Sequence, residues 1–260
     1  MEHEVWFTAI LNKIFGGAVS ALLTRIATLH GLEWVRPLDP AHPIPNYIAM
    51  EILVAIVLII LAIVVKSQLS MENPGKLQHV MEVVVEFTRT TAEEIIGHGA
   101  GRYVAMLGTL FVFVLACNLL SLFPWQAVPV PSEGIEVSPT GYIQSTLGCA
   151  VAVFLYYNYQ GFRQHGVLGY LKHFCGPVMA MAIIMFPIEI VSNVGRMLSL
   201  SVRLYANMLV GGLLEKVFGG LMPVLVPVIF QALHIFVSLL QAYIFMLLPA
   251  VYLSMAVSED

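Results

Sequence analysis

The chain reads as an all-α integral membrane protein with about five transmembrane helices and one amphipathic helix on the membrane surface. Three observations predict that class. Hydrophobic residues make up 59% of the 260 and charged residues 11%, where soluble domains carry roughly 25% charged residues. Mean hydropathy is +0.87. The apolar stretches run to about 20 residues, the length a helix needs to cross a hydrocarbon core.

The elements follow in order. Residues 1–46 form a mixed N-terminal segment, expected outside the cytoplasm. It holds a short amphipathic helix around Leu11–Leu29, then Pro37, Pro40, Pro43 and Pro45, which forbid a continuous helix. The opening Met1-Glu2-His3-Glu4 is acidic where a secretory signal is basic, so the N-terminus is expected to be retained. Residues 47–260 form a single polytopic membrane domain. Its first span, 47–66, closes on Lys66, and Asn73-Pro74-Gly75-Lys76 marks a turn.

Over 77–97, Glu82, Glu86, Arg89, Glu93 and Glu94 alternate with apolar residues at helical spacing, the pattern of a surface helix. A second span, 103–123, stops at Pro124, and a third covers 142–162. Two long stretches, 177–218 and 224–257, complete the chain as a hairpin around Gly219-Gly220-Leu221-Met222-Pro223. Each exceeds a perpendicular crossing, so both are expected to tilt.

Basic residues set the orientation. Lys66, Lys76, Arg89, Arg102, Arg163 and Lys172 fall in two connections, whereas the loop 124–141 has no lysine or arginine. Short basic loops stay cytoplasmic, which puts the N-terminus outside and Ser258-Glu259-Asp260 inside. A net charge of −4 and the lack of a Gly-x-x-x-x-Gly-Lys-Ser/Thr loop argue against nucleic-acid and nucleotide sites. No cofactor and no metal are expected. Cys117, Cys149 and Cys175 are widely spaced in apolar surroundings and read as reduced, buried thiols.

Arg203 lies deep in the apolar stretch 177–218. An arginine at the centre of a membrane helix costs about 2.5–3.5 kcal/mol on insertion scales, so something must offset it. Helical spacing groups Glu189, Ser192, Arg196, Ser199, Arg203, Ala206 and Asn207 into one stripe. On the last helix, His234, Ser238 and Gln241 form another, which must face protein or water. Alone, His234 reads equally as a packing histidine or as a relay that passes a proton near neutral pH; opposite a buried arginine, with Gln241 two turns on, the relay is favoured. The structural alternative for Arg203 is a salt bridge with Glu189 or Glu215.

Ser199-Leu-Ser-Val-Arg203-Leu-Tyr-Ala-Asn207-Met, then His234-Ile-Phe-Val-Ser-Leu-Leu-Gln241-Ala-Tyr-Ile-Phe and the ending Tyr252-Leu-Ser-Met-Ala, resemble subunit a of the F-type ATP synthase membrane sector. Asn73-Pro-Gly-Lys76, Asn118-Leu-Leu-Ser-Leu-Phe-Pro124 and Ser138-Pro-Thr140 extend the likeness over most of the chain. The resemblance implies a non-catalytic, proton-translocating stator in the multi-pass inner membrane of a bacterium. The c-subunit ring, the peripheral-stalk b subunits and the other synthase subunits would be its partners. Arg203 takes the place of the family's coupling arginine, Asn207 that of its companion, and His234 and Gln241 those of the polar pair.

Many bacterial members carry an acid at the position of Gly212, and others a histidine. Here Glu215 lies one turn on, either taking over that role or forming a helix-end ion pair beside Lys216. A ring carboxylate facing lipid must be protonated, and next to Arg203 it can ionise. Two half-channels on either side of Arg203 would then turn proton flow into rotation. His234, Gln241, Ser238, Glu215 and Asn118 would serve the outer path, and Ser192, Arg196 and Glu189 the cytoplasmic one. Sodium-driven relatives share this stator pattern, so the coupling ion is left open. A self-contained transporter would need an inverted repeat, and none is visible. A membrane scaffold would tolerate Arg203→Lys.

Overall fold

A computed structural model describes residues 6–30, 43–70, 74–97, 99–122, 139–175, 182–219 and 225–257. Among them every long element is a helix: α1 Trp6–His30, α2 Asn46–Ser67, α3 Lys76–Ile96, α4 Val104–Ser121, α5 Ile143–Cys175, α6 Ala182–Gly219 and α7 Leu225–Val257. Single 3₁₀ turns at Ala100–Arg102 and Pro139–Gly141 lead into α4 and α5. In lipid only a helix satisfies its own backbone polar groups, which is why the apolar runs take this form.

Five helices are long and apolar enough to cross a membrane, and they are not the five expected. Trp6–Thr28 qualifies, whereas the sequence suggests only a short amphipathic helix there. The polar Asn12, Lys13, Thr24 and Arg25 interrupt its apolar run enough to hide it. By contrast α5 falls outside that group, because Gln144, Asn158, Gln160 and its tyrosines lower its apolarity. It also runs past residue 162 to Cys175, with a break at Gly166, whose φ of 70° is accessible to glycine without strain. The helix expected on the membrane surface forms as α3, packs its Phe87 against Phe111 of α4 and Tyr243 of α7, and is not among the candidate spans.

The helix ends fall into two layers. At one, the Tyr47 ring stacks on Tyr142 at 4.8 Å and Phe218 on Phe230 at 4.6 Å. There the starts of α2, α5 and α7 meet the ends of α4 and α6, and Gln231 Nε2 donates to the Leu122 carbonyl at 2.9 Å. This is the aromatic end. At the other, Ser254 Oγ donates to the Ile95 carbonyl and Gln164 Nε2 to the Val257 carbonyl. Lys66, Lys76, Arg102 and Arg163 gather on that side, the basic end. Asn12 exchanges hydrogen bonds with the Ile44 backbone at 3.0 and 3.2 Å, tying the first turns of α1 to the aromatic end.

The core lies between α4, α5, α6 and α7, around Leu107, Val114, Val153, Leu200, Leu204, Phe245 and Leu253. Apolar side chains gain little by leaving lipid, so close approach matters more than apolar burial. Small residues supply it: Ala92, Ala150, Ala242 and Ala250 are essentially inaccessible. Helix α2, by contrast, buries only Ala49, Met50 and Val54 and leaves its other apolar side chains half-buried or exposed.

Candidate functional site: the seam between α6 and α7

Helix α6 has two unlike faces. Leu200, Ser201, Leu204 and Met208 turn inward, and Thr146 of α5 shares a hydrogen bond of 3.1 Å with Ser201. Ser199, Val202 and Arg203 turn outward and are exposed. No hydrogen bond or ion pair joins Arg203 to a described residue. The helix thus holds a permanent cation on an apolar outer face, at mid-length.

Its neighbour two turns earlier is different. Arg196 Nη2 meets Glu189 Oε1 at 3.4 Å, and its guanidinium lies over the Tyr252 ring at 5.7 Å. Glu189 therefore pairs with Arg196, and the suggested Arg203–Glu189 bridge does not form. The Glu215 side chain lies outside the described residues, while Ser192 is half-buried on α6.

Asn207 leaves the outer face and points into the seam, where its Nδ2 donates to Gln241 Oε1 at 2.7 Å. Further toward the aromatic end, the His234 ring is buried against Gly211: a Cβ added there would stand 2.6 Å from His234 Nε2. Gly212 faces open space instead. The departure from an acid at 212 thus leaves room, while the glycine beside it is what admits the imidazole.

Helix α4 closes the other side of α7. Asn118 Nδ2 donates to the Ser238 carbonyl at 3.3 Å. The Asn118 Oδ1, Ser238 Oγ and Gln241 Nε2 atoms are buried without a hydrogen-bond partner among the described residues. Buried polar atoms are nearly always bonded, so each of these has hydrogen-bonding capacity that no described residue uses. Arg203 apart, the structure brings Asn118, Asn207, His234, Ser238 and Gln241 together in one seam, and Glu189 with Arg196 in a second cluster nearer the basic end.

Sequence reasoning missed several residues. Gln231 extends the α7 stripe one turn beyond His234 and was legible from spacing alone. The Tyr157 hydroxyl donates to Asn193 Oδ1, and Asn193 Nδ2 donates to Asn158 Oδ1 at 3.1 Å, joining α5 to α6. Glu51, an acid inside a run of mean hydropathy 3.3, accepts from the Ser145 hydroxyl. An ionisable residue within a membrane span was the available signal. Cys117 is buried and Cys149 half-buried, both as free thiols.

Comparison with known proteins covers most of the chain. The family model described as ATP synthase A chain matches residues 48–254. ATP synthase subunit a of Koribacter versatilis is 44% identical, over 100% of this chain and 99% of its own. That of Solibacter usitatus is 43% identical over 85% of this chain and 90% of its own. That of Nitratiruptor is 38% identical over 81% and 89%.

Proposed function

The chain belongs to the ATP synthase A chain family, and on that premise we propose that it is the proton-translocating stator of an F-type ATP synthase, facing a ring of c subunits in a bacterial inner membrane. Arg203, exposed and without an ion pair to any described residue, carries this reading. A cation on an apolar face that no described residue of its chain pairs meets its counter-charge from outside, and passing ring carboxylates supply one.

Each ring carboxylate must give up its proton before it can pass beside Arg203, and takes one up again before returning to lipid. Two offset aqueous half-channels, one on either side of the arginine, make that sequence directional. The outer path runs from the aromatic end along His234, Ser238 and Asn118 to Gln241 and Asn207, with Glu215 above it on α6. The spare hydrogen-bonding capacity of Asn118, Ser238 and Gln241 supports it. The inner path passes Ser192, Arg196 and Glu189 toward the basic end. Each charge crossing is worth about 2.3 kcal/mol per 100 mV, which drives rotation. ATP chemistry belongs to other subunits, and the peripheral-stalk b subunits hold this one still.

The basic end is the cytoplasmic one under the positive-inside rule. The tie between Asn12 and Ile44 supports an N-terminus outside, with α1 held at the aromatic end and the C-terminus in the cytoplasm.

The test is ATP-driven acidification of inverted membrane vesicles holding the whole complex, wild type against Arg203→Ala. Loss of pumping with the complex assembled is expected. Pumping at the wild-type rate would return Arg203 to a structural role.

A further inference from the structure

Glu51 is the one acid of α2, five residues into a helix that otherwise carries only Lys66 as a charge. Five residues are about 7.5 Å of helix, which sets the carboxyl just below the Tyr47–Tyr142 stack at the aromatic end. It is partly accessible there. Its partner is the Ser145 hydroxyl on α5, a donor that can bond a carboxylate but cannot neutralise it. Tyr47 on its own helix, Cys117 on α4 and Cys149 on α5 are the titratable groups in electrostatic reach, and none is a cation. A salt bridge therefore does not explain the residue among the described groups.

The surroundings point inward. Cys117 immediately precedes Asn118, whose amide enters the α4–α7 seam. The residue after Ser145 is Thr146, bonded to Ser201 on α6. Glu51 thus stands where three helices that line or brace the seam converge, on its aromatic side, while position 212 of α6 holds no acid.

We propose that Glu51 is a proton-exchanging carboxylate of the outer path, carried on α2 and not on either helix of the C-terminal hairpin. The inference rests on the stator reading above. A hydronium at the aromatic end gives its proton to a Glu51 oxygen, leaving water. A water on the seam side then takes that proton as hydronium, breaking the O–H bond, and the carboxylate is restored. Ser145 holds the carboxyl in place throughout.

Glu51→Gln separates this role from packing, since an amide oxygen still accepts from Ser145. In inverted vesicles with the complex assembled, ATP-driven pumping should fall about 100-fold, the lower end of what a positioned proton-transfer group supplies. Glu51→Asp should recover most of it. Wild-type pumping by Glu51→Gln overturns the proposal, and so does equal loss in Gln and Asp variants, which signals packing alone. If Glu51→Gln does not assemble, Ser145→Ala keeps the carboxyl but frees it. The pH of half-maximal pumping should then move, and an unmoved profile rejects the role. Arg203→Ala runs alongside: loss there with normal pumping by Glu51→Gln sinks this inference alone, whereas retained pumping in Arg203→Ala sinks the stator reading.

Discussion

Arg196 and Arg203 occupy the same stripe of α6, two turns apart, yet the fold treats them differently. Arg196 lies over an aromatic ring with Glu189 beside it, so its charge is balanced within the chain. Arg203 is exposed and meets no acid among the described residues. Residue type and helical phase are shared, so the difference lies in what packs opposite. Tyr252 near the end of α7 lies under the Arg196 guanidinium with Glu189 beside it, whereas Arg203 makes no ring contact or ion pair with a described residue. A cation satisfied internally braces the bundle, and one left unsatisfied is available to a partner.

The largest effect should come from Arg203. Arg203→Lys keeps the charge but loses the planar fork, and pumping should still fall below detection in assembled complexes. Wild-type rates in that variant would remove the contrast with Arg196, because any cation would then do.

Next comes Gly211→Ala. Its Cβ would need space that His234 Nε2 occupies at 2.6 Å, so the ring must shift, at an overpacking cost of about 1–3 kcal/mol. Detergent melting curves and pumping should both drop. Adding His234→Ala reopens the space, so the double variant should be no less stable than His234→Ala alone; an additive loss would show that the contact does not matter.

Asn207→Ala is smaller. It removes the 2.7 Å bond to Gln241, and such bonds between membrane helices couple by about 0.6–2 kcal/mol. A double-mutant cycle with Gln241→Ala read by unfolding in mixed micelles should return that range, and zero coupling would mean the pair is incidental. Smallest is Glu189→Gln: the Glu189 side chain is 37% exposed, so the pair is worth about 0–1 kcal/mol and melting should barely move. A loss of several kcal/mol would make Arg196 a far more buried cation than its contacts indicate.

Much was legible before any coordinates. Hydropathy is a local sum, so the helices from α2 onward follow from runs of residues, with ends displaced by a few positions except at α5, which continues past 162 to Cys175. Helical phase is equally local, which is why the stripe through Arg203 and that through His234 were readable on their own helices. What phase cannot state is which stripe faces which. The pairing of Glu189 with Arg196, of Asn207 with Gln241, and the choice of Gly211 over Gly212 as the seat of the imidazole depend on rotations and depths of α6 against α7.

Helix α1 shows a further gap: its polar residues conceal an apolar helix whose Asn12 is spent on the Ile44 backbone, a bond across 32 residues. Glu51 gained meaning only once Ser145 was beside it. Residue order along a chain therefore dictated the class of protein, the run of its helices and the unusual arginine. Docking the helices decided which polar groups were consumed internally and which were left to act. The physical reason is that lipid-exposed and buried apolar faces have nearly the same composition, so inter-helix rotation is set by close packing and a few hydrogen bonds far apart in sequence.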